Sequence, residues 1–151
     1  MTPEQVTAFQ GNLEDFHRGY GKFIKRCSRL KPPQTDEVAV CGMWSAREVV
    51  AHLAGWLHEA ARALNAWLKD GSPMPDYDID AFNAASVADR ADWDWDHVLA
   101  DLRAGQLAVQ HALERLMIQN PPDYSMFTTW LGILADEFEH HQAQMDGVTP
   151  P

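Results

Sequence analysis

Four stretches of this chain place apolar residues at steps of three and four, the spacing that lines one face of an α-helix. No useful length alternates with the period of two that a half-buried strand needs. Over residues 3–30, Val6, Phe9, Leu13, Phe16, Tyr20, Phe23, Ile24 and Cys27 keep the helical period, and Pro3 suits a first turn. Gly11 and Gly19 weaken that helix but permit close packing. The second helix opens on a capping box, Ser45 followed three residues on by Glu48, with Trp44 ahead of it as a hydrophobic staple. Val49, Leu53, Trp56, Ala60, Ala63, Leu64 and Trp67 form its inward stripe, and Asp70-Gly71 ends it. A third helix runs from about Asp94 to Met117 through Trp95, Val98, Leu99, Leu102, Leu107, Val109, Leu113 and Leu116, until Asn120-Pro121-Pro122 breaks it. The last runs from about Met126 to Met145.

The connectors complete the expected architecture. KPPQTDEVAVCGM, residues 31–43, reads as a long loop in which EVAV is too short and isolated to require a strand. SPMPDYD is a rigid link, residues 78–90 form a short helix capped by Asp78 or Asp80, and the Pro150-Pro151 tail frays. The expectation is an all-α, antiparallel four-helix bundle, one domain over 1–151, with a short extra helix between its second and third long helices.

Charge limits the partners. Twelve Lys and Arg stand against 22 Asp and Glu, a net charge of −10. No basic stripe exists to release counterions from nucleic acid or to settle on an anionic membrane surface. No apolar run reaches the roughly 18 residues of a spanning helix, and MTPEQVTAFQ lacks the basic and apolar regions of a signal peptide. A cytoplasmic protein is expected, with Cys27 and Cys41 as reduced thiols. There is no P-loop, GxGxxG or GxSxG to support nucleotide binding or hydrolase-elbow chemistry.

The histidines carry the chemistry. His17, His58, His97 and His111 fall on polar or boundary faces. On the last helix Phe127, Trp130, Leu134, Phe138, His141 and Met145 share one face, Glu137 joins its edge a turn before His141, and His140 points to the margin. On the second helix His52 stands beside Val49, Leu53 and Trp56, at the edge of the apolar stripe. Two imidazoles and a carboxylate suit Zn²⁺, Ni²⁺ or Fe²⁺ with positions left open for water or substrate. On spacing alone a plainer reading stands: a Glu137–His141 pair worth a few tenths of a kcal/mol, roughly, and a core-edge His52 bonded to a backbone carbonyl.

GMWSAREVVAHLAGW, residues 42–56, resembles the segment entering the second helix of the DinB-like superfamily, which takes in DinB proteins, mycothiol-dependent maleylpyruvate isomerases and ClbS/DfsB proteins. In that pattern Trp-Ser/Thr and a basic-acidic pair precede Val-x-x-His-Leu, and His52 takes the place of the first metal ligand. EFEHHQAQ, residues 137–144, resembles the family's final helix, with Glu137 and His141 in the ligand places; the isomerase branch is similar in carrying glutamate there. Residues 79–104 resemble the connector and third helix of ClbS/DfsB proteins, a branch not uniformly metal-dependent. Trp56, Asn83, Arg90 and His140 are the residues expected to line the site; no catalytic residue is assigned.

The resemblance implies a divalent metal that polarises a bound thiol or water, and a low-molecular-weight thiol as cosubstrate. The activity it implies is transfer to, isomerisation of, or hydrolysis of a small electrophilic molecule. The rival expectation is a metal-free ClbS/DfsB-like protein or a non-catalytic helical module that sequesters a small molecule or assembles as a homodimer.

Overall fold

The computed structural model describes residues 1–37 and 39–148, so Val38 of the EVAV segment and the Pro150-Pro151 tail lie outside the described residues. Four long helices form: α1 (Pro3–Cys27), α3 (Ala46–Asp70), α5 (Trp95–Gln119) and α6 (Ser125–Met145), with a short α2 (Gln34–Glu37) and α4 (Ile79–Ala88) between them. Among the described residues the fold is all-α apart from one small hairpin, β1 (Ala39–Cys41) against β2 (Trp44–Ser45), antiparallel with Ala39 opposite Ser45. That hairpin corrects the expected loop. Two rungs of pairing are below what a sequence pattern can register, and the turn around Gly42, φ +57°, is one glycine tolerates without strain.

The caps behave as their chemistry dictates. Thr2 and Gln5 form a capping box on α1; Ser45 Oγ accepts from the Glu48 amide at 3.2 Å while Glu48 Oε1 accepts from the Ser45 amide at 3.1 Å. Of the two candidate caps for α4, Asp78 is the one used. Asp94 caps α5, and Gly71 and Asn120 close α3 and α5 in the left-handed region.

Contacts along the helices fix their directions. Phe9 meets Tyr124, Asn12 bonds Thr128, and Arg26 bonds the Met145 carbonyl, so α1 and α6 run parallel. Arg47 reaches the Trp93 carbonyl and His58 reaches Asp101, so α3 and α5 also run parallel. His52 pairs with Glu137 and Trp67 meets Phe127, so α3 crosses α6 in the opposite sense. The bundle is therefore antiparallel between two pairs and parallel within each. The segment holding α4 makes the long return that a parallel α3–α5 pair requires. Phe16, Phe23 and Phe138 fill the core between α1 and α6, each fully buried. Leu107, expected inward, is 54% exposed: the five-residue step from Leu102 carries it off the stripe.

Candidate metal centre

His52 lies two turns into α3 and His141 one turn before the end of α6, so the antiparallel crossing brings both to the end of the bundle that the hairpin covers. Both are buried, 4% and 3% exposed. Glu137, one turn before His141, places Oε2 between them, 3.2 Å from His52 Nε2 and 3.4 Å from His141 Nε2. One donor atom from each of the three lies within 4.8 Å of the others. The carboxyl is held well below the usual carboxylate range by His141 first and His52 second, against the opposing effect of burial; His141 leads although its contact is the longer.

The hydrogen bonds around this group bear on whether it can hold a cation. His141 Nδ1 meets Gln144 Oε1 at 2.5 Å, and Gln144 Nε2 meets His140 Nε2 at 3.3 Å. With the amide placed this way, Oε1 can only accept, so Nδ1 carries the proton and a neutral His141 turns its Nε2 lone pair toward the Glu137 carboxylate. Two acceptors facing each other need a proton or a cation between them. His52 Nδ1 is buried without a partner, and Trp44 lies beside its ring at 5.0 Å between centroids. The donor set, two imidazole Nε2 atoms and one carboxylate oxygen, suits a divalent transition ion, and Gln144 is the outer partner that orients such a ligand.

A cavity of about 380 Å³ opens beside the three donors. Trp44, Trp56, Trp130, Tyr77 and Met74 line it, with Cys41 and His140 on it as well. Trp56 Nε1 donates to Asn83 Oδ1 at 2.7 Å and packs against Phe82 and Tyr77, so α4 and the 71–78 connector close one side.

Of the residues expected at this site, His52, Glu137 and His141 come together, and Trp56, Asn83 and His140 border the cavity beside them. Arg90 does not. Its guanidinium bonds Asp101 at 2.7 Å and the Ser86 carbonyl at 2.9 Å, and His58 takes the other Asp101 oxygen at 2.9 Å. A half-buried cation finds its counter-charge there, so Arg90 ties α4 to α5 and leaves the cavity wall to apolar groups. Trp93 stacks on His97, and Trp95 is buried in the core. Gln144 and Tyr77 had no assigned part in the sequence reading. Gln144 sits three residues after His141, on the same helix face, a position that periodicity could have marked.

Among solved structures, a His-to-Ala mutant of the mycothiol-dependent maleylpyruvate isomerase is similar in fold, with a TM-score of 0.73, 13% identity and 94% of this chain covered. The chain spans 62% of the length of that structure. No curated protein matches the sequence. The family model described as the DinB superfamily matches residues 15–145, which takes in the His52 segment of α3 and the Glu137–His141 segment of α6. On that match the chain belongs to the DinB superfamily.

Proposed function

We propose that this protein is a divalent-metal-dependent enzyme that activates a thiol or water against a small electrophile. The observation that carries the reading is the Glu137 carboxylate lying between two imidazole Nε2 atoms, with Gln144 bonded to the far nitrogen of one of them. His52, Glu137 and His141 would hold the ion. When bound, it would supply charge that lowers the pKa of a coordinated thiol or water. The chain's own part is to hold the Glu137 carboxylate between the two rings, orient His141, and present an apolar cavity in which water competes poorly.

Support for a thiol cosubstrate comes from the fold-level likeness to a mycothiol-dependent isomerase. The cavity beside the donors has room for a small molecule. One observation favours the metal-free alternative. The two imidazole–carboxylate contacts fall at hydrogen-bond or ion-pair distance, so a protonated His141 would close the group on itself in a binding protein.

Elemental analysis of protein purified without tag or chelator separates the two. About one transition ion per chain, lost on chelation together with consumption of a small thiol in the presence of an electrophile, is the expected result. A metal-free protein whose melting curve ignores both chelator and added Zn²⁺, Ni²⁺ or Fe²⁺ would leave the closed ion-pair reading in its place.

A further inference from the structure

The cavity wall names a substrate class more narrowly than the donors do. Fourteen residues line it, and among the described residues none of them is Lys or Arg. The charge it does present is the Glu137 carboxylate, on a chain of net charge −10. Trp56 forms an aromatic corner with Tyr77 at 5.1 Å and Trp130 at 6.2 Å between ring centroids. Ile79 and Ile133 are exposed where they border the opening, so the apolar surface continues out to solvent.

Apart from Glu137 and the histidines, the hydrogen-bonding groups along this wall are neutral. Trp130 is 1% exposed and its indole N–H has no partner. Asn83 spends its carbonyl oxygen on Trp56, which leaves its amide hydrogens to donate. The Asn83 amide donor beside flat aromatic walls matches a carbonyl-type acceptor on a planar molecule. Without an ion at the three donors, a carboxylate placed against the same wall would lose its hydration beside Glu137 with no lining Lys or Arg to offset it, which costs several-fold more than desolvating a neutral carbonyl.

Resting on the metal-centre reading for the chemistry, we infer that the electrophile bound here is an uncharged, planar aromatic or conjugated carbonyl compound, and not a carboxylic acid. The Trp56–Tyr77–Trp130 corner holds its ring, and Ile133 guards the entrance.

The test compares 2-acetylnaphthalene with 2-naphthoate, the same ring carrying a neutral or an ionised group. Both are titrated into the full chain with and without one equivalent of Zn²⁺, followed through the indole N–H resonances of Trp56 and Trp130. The ketone should bind at least about tenfold more tightly than the acid in the zinc-free protein, shifting both resonances. Ile133→Asp, at a part-exposed position, should weaken the ketone about tenfold while zinc stoichiometry stays as in the parent. Equal or tighter binding of naphthoate without zinc, or ketone binding that leaves Trp56 and Trp130 unmoved, overturns the inference. Zinc stoichiometry is read separately, so a protein that discriminates the ketone but binds no zinc supports the cavity assignment and sinks the metal-centre reading alone.

Discussion

At the scale of single residues, the group at the α3–α6 crossing depends on which nitrogen faces inward. Gln144 bonds the outer nitrogen of His141, whereas His140 bonds Gln144 and packs edge-on against the His141 ring at 5.0 Å between centroids. His141→Ala is therefore expected to abolish stoichiometric metal and to lower thermal stability in metal-replete buffer, because a ligand that binds only the native state stabilises it by mass action. Gln144→Ala should keep the stoichiometry and weaken affinity by about 10–100-fold, the usual cost of losing an outer partner. His140→Ala should retain one ion per chain. Competition titrations with a chromogenic chelator distinguish the three variants, and loss of the ion in His140→Ala but not His141→Ala would contradict the assignment. The side of the helix on which His52, Glu137 and His141 sit was legible, because periodicity reports direction. That residues 52 and 137 meet was not, since no local pattern encodes a contact across 85 positions. Arg90 shows the limit of resemblance: likeness of sequence suggested a place at the site, but Asp101, one helix away, has claimed its charge.

Among the elements, α3 is the one whose start and packing the sequence describes best, since caps are local chemistry. Ser45→Ala removes the acceptor for the Glu48 amide and should cost about 1 kcal/mol in denaturant unfolding, with metal content unchanged. Loss of the ion at unchanged stability would mean that the segment serves the site in some other way. Close approach between helices was harder to foresee. A Cβ on Gly55 would stand 2.2 Å from Ser86 Oγ, so α4 lies against bare backbone of α3. Gly55→Ala should destabilise by about 1–3 kcal/mol, and adding Ser86→Gly should recover part of it in a double-mutant cycle. An isolated glycine within a helical repeat reads as a weak helix position; its reason lies on the partner helix. The β1–β2 hairpin was missed because its few residues carry no period, yet it delivers Cys41 and Trp44 to the cavity.

For the molecule as a whole, the helical class could be read from periodicity, while the direction of each helix could not, because spacing is the same read up or down an axis. The core also stores a pH dependence. Burial pushes the Cys27 thiol up to about 12, with Arg26 and Arg103 opposing. A thiol whose folded pKa is raised favours the native state fully while both states are protonated, below about pH 9. That advantage shrinks as pH rises from there toward about 12, so the urea midpoint should fall along this interval. Cys27→Ala should be less stable at pH 7 through the cavity it leaves, and show a shallower alkaline fall; an identical slope in both proteins would assign the effect to other groups. The parallel pairing of α1 with α6 has a consequence for synthesis. Helix α1 leaves the ribosome well before its main partner α6, so Phe16 and Phe23 must wait without Phe138 while over a hundred residues emerge. The α3–α5 half can gather in that interval, but the nascent chain carries an uncovered aromatic stripe on α1, the kind of surface that chaperones hold.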